Sequence, residues 1–118
     1  MATAVKRKLS GSTDGMGIKI TQTATAGDLI HTAVAGTTDG TYDEIWLWAQ
    51  NNHTADVELT IEFGSADTEN NIKVTIPCKD GLYAIVPGLI LQNSKTVKAF
   101  AGSANVITVH GYVNSITD

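Results

Sequence analysis

Residues 56–63 read Asp56-Val57-Glu58-Leu59-Thr60-Ile61-Glu62-Phe63. In an extended chain Val57, Leu59, Ile61 and Phe63 share one face, and Glu58, Thr60 and Glu62 share the other. Successive side chains of a strand point to opposite faces, so this stretch predicts a half-buried strand with a wet outer face. The same period of two recurs on both sides of it. Gly17 to Thr25 alternates Ile18, Ile20 and Ala24 with Lys19, Thr21 and Thr23. Leu29 to Val34 is a short Thr/Ala-rich candidate, and Glu44 to Gln50 sets Ile45, Leu47 and Ala49 against Trp46 and Trp48. Further on, Ile72, Val74 and Ile76, then Leu82, Ala84 and Val86, then Val97 and Ala99, then Ile107, Val109 and Val113 mark four more strands.

The breaks between these runs carry turn chemistry, among them Asp14-Gly15, Asp39-Gly40, Asn51-Asn52, Pro87-Gly88 and Gly102-Ser103. Pro77-Cys78-Lys79-Asp80-Gly81 lies between two of the strands and predicts that they pair as a hairpin. No segment shows a sustained helical stripe. Evenly spaced short strands with such turns predict an all-β, single-domain antiparallel β-sandwich of about eight strands. A jelly-roll-like arrangement is the expectation, with the strand order itself left open.

The chain has 118 residues, long enough for one domain with its own core. Hydrophobic residues make up 42% and charged residues only 17%, where about a quarter is usual. Mean hydropathy is +0.01. A chain so rich in β-branched residues and so poor in charge is not a disordered one. A formal charge of −4 argues against a general nucleic-acid binder. Lys6, Arg7 and Lys8 are three of the eight basic residues, and the rest of the chain carries five basic against twelve acidic residues, a net −7. Residues 1–10 therefore read as a flexible basic N-terminal arm, residues 11–118 as the sandwich, and Gly11 to Gly17 as a mobile joint between them.

The longest apolar stretch, Ala84 to Leu91, is broken by Pro87 and Gly88 and falls far short of the roughly 20 residues that span a bilayer. The N-terminus lacks the apolar core of a signal peptide, and Cys78 is the single cysteine, so the expectation is synthesis in the cytoplasm, with no membrane partner.

Reaction chemistry finds little footing. His31, His53 and His110 are scattered, and no Gly-x-Ser-x-Gly elbow exists. His31 and His110 fall in predicted strands and read as polar-face or interface residues. Asp67, Glu69, Asn70 and Asn71 read as a solvated turn, since the spacing of a calcium loop is missing. The Gly-rich stretch 11–17 has no Gly-Lys-Ser/Thr ending and is no phosphate loop. Asn52-His53-Thr54 matches the glycosylation triplet, which reads as unused. The expectation is a protein that is not an enzyme, with no cofactor and no metal. Trp46 and Trp48 admit three readings, as core, as subunit interface or as a ligand platform.

The order of motifs resembles a group of small phage virion proteins. The stretches that carry the resemblance are Leu9-Ser10-Gly11-Ser12-Thr13-Asp14-Gly15, Ile30-His31-Thr32-Ala33, Asp43-Glu44-Ile45-Trp46-Leu47-Trp48-Ala49, Leu59-Thr60-Ile61-Glu62-Phe63-Gly64, Val86-Pro87-Gly88-Leu89-Ile90-Leu91 and Val97-Lys98-Ala99-Phe100-Ala101. They run from Leu9 to about Asn114 and consist of strand cores and turns, with no catalytic residue among them. The resemblance implies a virion structural protein, a capsid decoration (cement) protein on the capsid surface, with a head–tail or tail component as the other placement. It implies the major capsid protein as partner and self-association as a homotrimer. Lys6, Arg7, Lys8, Trp46, Trp48 and Tyr83 are the candidate contact residues. The alternative is a carbohydrate- or receptor-binding module of a phage tail or fibre, resting on Trp46, Trp48 and Tyr83 as stacking surfaces.

Overall fold

Each apolar run of period two needs a second layer to cover it, and the chain supplies that layer by folding a long hairpin onto itself. A computed structural model describes residues 2–118. Its nine strands are β1 (Thr3–Lys8), β2 (Ile18–Lys19), β3 (Asp28–Thr32), β4 (Tyr42–Asn51), β5 (Val57–Gly64), β6 (Asn71–Ile76), β7 (Tyr83–Leu91), β8 (Thr96–Ala101) and β9 (Ile107–Thr117). A single 3₁₀ turn, Thr68–Asn70, precedes β6. β2 pairs with β9, β3 with β8, β4 with β7 and β5 with β6, all antiparallel. That nesting is a hairpin whose tip is the β5–β6 loop. Rolling it up adds the β4–β9 and β5–β8 ladders. The result is two sheets, ordered β1-β9-β4-β7 with β2 beside β9, and β3-β8-β5-β6. Apart from β1, this is the strand order of a jelly roll, so the expected sandwich stands and its order is now defined.

The core lies between the sheets. Ile45, Leu47 and Ala49 of β4 and Val109 and Val113 of β9 face Leu59 and Ile61 of β5 and Val97 and Ala99 of β8, all fully buried. They come from the apolar sides of the runs read in the sequence. Removing most of one such side chain, as in Ile61→Ala, is the kind of change that costs about 2–5 kcal/mol.

Three expectations are corrected. First, β6 and β7 do not form a hairpin: they sit in different sheets, paired with β5 and β4. The Pro77–Gly81 loop crosses between the sheets. Cys78 N–H donates to Asp56 Oδ1 (3.0 Å) and Lys79 N–H to the Asn51 carbonyl (2.8 Å), so the loop is tied to the ends of β4 and β5. Turn residues mark where a strand ends and do not say where the next one pairs.

Second, residues 3–8 are not a free arm. They form β1, in register with β9 from Thr3↔Thr117 to Lys8↔Tyr112. Met1 lies outside the described residues. The Gly11–Gly17 stretch is likewise no mobile joint. Leu9 is buried, Gly11 N–H donates to the Ile30 carbonyl (2.9 Å), and Ser12 Oγ–H donates to the Met16 carbonyl (2.7 Å). A Cβ on Gly11 would come within 2.4 Å of the Leu29 carbonyl oxygen, so this glycine permits close approach to β3.

Third, the outer face of β5 is not wet along its length. Glu58 is exposed, but Thr60 and Glu62 are 2% and 3% exposed. The segment between β2 and β3 folds over this face. Gly27 N–H donates to Glu62 Oε1 (2.8 Å), and the Thr25 hydroxyl donates to Glu62 Oε2. Gly27 itself lies on β8, where a Cβ would meet the Ala99 carbonyl oxygen at 2.3 Å. We expect Gly27→Ala to lift this flap and cost about 1–3 kcal/mol in chemical denaturation. A loss below ~0.5 kcal/mol would show that the flap does not hold Glu62 in place.

Candidate functional site

The alternation of β4 puts two different surfaces on one strand. Asp43, Ile45, Leu47, Ala49 and Asn51 are buried, while Tyr42, Glu44, Trp46, Trp48 and Gln50 are half-buried on the outside. The tryptophans are therefore not core. They lie on the outer face of the five-stranded sheet, one strand in from its β7 edge. In the β4–β9 ladder Trp46 stands opposite Tyr112 and Trp48 opposite His110. Three rings gather: Trp46 and Trp48 at 6.4 Å between centroids, Trp46 and Tyr112 at 6.4 Å, and Trp48 and Tyr112 at 6.0 Å. The planes are 15–25° apart, near parallel.

Neighbouring strands fix this group. The Trp46 ring lies across Gly88 of β7, where a Cβ would sit 2.8 Å from it. Gly88 has φ +81° at a register shift in the β4–β7 ladder, a conformation that suits glycine. Trp46 Nε1–H donates to Glu44 Oε1 (2.7 Å), and Asn114 Nδ2–H donates to the same oxygen (3.0 Å). These two hydrogen bonds, that of Trp46 first, hold the Glu44 carboxyl below its ordinary value of 4.5. Lys6 Nζ of β1 stands 4.3 Å from the Tyr112 ring centroid, a cation–π distance. Around Tyr112 the outer face thus gathers two indole rings, the Glu44 carboxylate and the Lys6 ammonium.

The candidate contact residues separate into groups. Lys6, Trp46 and Trp48 meet around Tyr112. Lys8, opposite Tyr112, borders the same face, and Arg7, opposite buried Val113, points to the other side of β1. Tyr83 starts β7, is 40% exposed, and makes none of these ring contacts. Tyr112 was not among the candidates, although period two already set it opposite Val109 and Val113. What the sequence lacked was the strand beside it.

A second polar group is buried. His31 and Asp43 are each 4% exposed, with His31 Nε2 and Asp43 Oδ2 2.7 Å apart. Ser10 N–H donates to His31 Nδ1 (3.0 Å), which leaves the ring proton on Nε2, donated to Asp43. Val34 N–H donates to the same carboxylate oxygen (3.2 Å). Ser10 takes part through its backbone, and its Oγ accepts from Thr32 N–H (2.6 Å). Ser, His and Asp are therefore in sequence of contact without an activated hydroxyl, because the serine oxygen does not meet the imidazole. The group ties the β1–β2 connection and β3 to β4. His31 is thus a buried structural histidine and not a surface one. His110 lies on the outer face of β9 against Gly17, and His53 in the turn that Asn51 Oδ1 holds through His53 N–H (2.8 Å).

No family model, curated protein or solved structure matches the chain.

Two outcomes are expected. Asp43→Ala removes the acceptor for His31 and Val34 and should cost about 1–3 kcal/mol, read by thermal and denaturant melting. An unchanged stability would mean that the pair does not fasten β3 to β4. Glu44, with its folded value depressed, contributes stability above its ordinary 4.5 that is lost as pH falls through the lower folded value. Tryptophan emission should therefore change below pH 4.5, and the change should vanish in Glu44→Gln.

Proposed function

We propose that the protein is a phage virion structural protein, a capsid decoration (cement) protein that docks on the outer shell and stabilises contacts between capsid subunits. The observation that carries this reading is the outer face of the five-stranded sheet. Trp46, Trp48 and Tyr112 form a half-exposed aromatic patch with Glu44 as its paired carboxylate. Protein interfaces are enriched in aromatics and depleted of charge at their centres. A rigid sheet presents such a patch with little ordering cost on binding. The resemblance in motif order to small phage virion proteins supports the same reading, as does the jelly-roll order, which recurs in viral shells.

Self-association as a homotrimer is the companion proposal. Leu82, Tyr83, Leu89 and Ile90 leave the β7 edge apolar, each at least 40% exposed. A closed ring of subunits that covers this edge would remove it from water. The major capsid protein would then meet the aromatic face.

The second reading is a carbohydrate- or receptor-binding module of a tail or fibre. Near-parallel rings flanked by a carboxylate and an amide, Glu44 and Asn114, are the observation that favours it, since sugar rings stack on aromatic faces while their hydroxyls take hydrogen bonds.

Electron microscopy of the virion should find the protein in many copies over the shell. Copies confined to the portal vertex or tail would sink the decoration reading. Trp48→Glu should abolish attachment to purified shells with the melting curve little changed. Glycan-array binding that disappears in Trp48→Ala, with shells still decorated, would move the aromatic face to the second reading.

A further inference from the structure

We propose that the free edge of β1 is a docking site for an extended acidic segment of a partner protein, which adds to the sheet as a further strand. The inference deepens the shell-docking reading by naming the chemistry of the segment that the partner supplies.

β1 is paired on one side only, along β9, at the end of the sheet order. In an antiparallel ladder every second residue of an edge strand turns its N–H and C=O away from its partner. Among the described residues, no backbone hydrogen bond outside the ladder engages residues 3–8. All six residues of β1 are exposed. The edge is therefore open, extended and held in strand geometry, which are the conditions for strand addition.

Charge decides what can dock there. Lys6, Arg7 and Lys8 are consecutive, so their cations project to both faces of the sheet. Two copies of β1 laid edge to edge would gather six cations in one short ribbon, and like charges across strands destabilise. An acidic segment meets opposite charge at Lys6 and Lys8 on the outer face. Basic residues on an edge also serve simply to keep it unpaired. That role accounts for the charge and not for the space beneath. Below β1 the two sheets splay around a cleft of about 670 Å³, lined in part by Val5, Arg7, Thr32, Ser115 and Thr117. Val5 remains 40% exposed over it. The cleft has room for the inward side chains of an added strand. The partner segment accordingly alternates acidic residues, facing Lys6 and Lys8, with small apolar or hydroxyl residues that turn toward the cleft.

The probe is a blocked peptide, acetyl-Thr-Glu-Val-Glu-Val-Glu-Thr-amide, added to the full chain at low salt. Amide NMR should show shifts along β1 and slower hydrogen exchange there. Binding should weaken by roughly tenfold when alternate peptide nitrogens are methylated, which keeps the charges and removes the donors. It should weaken at least as much in the triple variant Lys6→Glu, Arg7→Glu, Lys8→Glu, and fall with added salt. Equal binding of the methylated peptide, or shifts centred on another edge, would overturn the proposal, as would no binding of the parent peptide. The methylated arm uses the native protein and so does not depend on the variant folding. Peptide binding without decorated shells would sink the shell reading alone. Decorated shells without peptide binding would sink strand addition alone.

Discussion

The ladder between β4 and β9, ten residue pairs from Tyr42↔Ile116 to Asn51↔Ile107, is the interaction on which the rest of the molecule depends. It joins the open-end rung of the rolled hairpin, β2–β9, to the β4–β7 rung and places both strands in the middle of one sheet. Buried on both edges by neighbours, these strands hold fixed register, and a slip by one residue would exchange every core side chain for an outer one. Here that exchange would put Trp46 and Trp48 inside and Ile45 and Leu47 in water. Gly111, opposite Leu47, fits the crowded centre of the ladder, since a Cβ there would meet the Trp46 carbonyl oxygen at 2.1 Å.

From this register follow the two surfaces of the sheet. The inner one is apolar along its middle and polar at both ends of β4: Asn51 Nδ2–H donates to the Ala55 and Ile76 carbonyls, and Asp43 Oδ2 meets His31 and Val34 while the buried Oδ1 has no hydrogen-bond partner among the described residues. The carboxylate there fastens β4 to β3 and to the β1–β2 connection, segments that also bury Leu9 and Ile30 in the core. The outer surface collects the rings, with Glu44 paired to Trp46 and Asn114. The low charge of the chain thus has a location: the sheet faces carry few ions, while β1 concentrates three cations at an edge.

Much of the architecture was legible in the residues. The strands centred on 45–49, 57–63, 72–76, 97–101 and 107–113 appear where their alternation places them, because an apolar side every second residue is itself the physical cause of a half-buried strand. β1 was not legible as a strand. Neither of its faces is apolar, so no hydropathy pattern marks it, and backbone pairing with β9 alone makes it one. Buried Glu62 was not legible either, since the flap that covers it is a turn-rich stretch whose docking depends on a non-local contact with β8. Of the candidate site, Trp46 and Trp48 stood out by spacing, but whether they were core, interface or platform depended on which side the second sheet covered.

The order of residues is enough to specify an all-β chain, the faces of its main strands, its charge-poor character and the basic stretch at residues 6–8. Those are properties of single segments and short-range periodicity. The strand order, the sheet change between β6 and β7, the meeting of Tyr112 with the tryptophans and the closure of Ser10 and His31 on Asp43 emerge in the folded molecule alone. Each of these is a contact between residues far apart in the chain. Period two specifies which way a side chain points and is silent on which strand lies beside it.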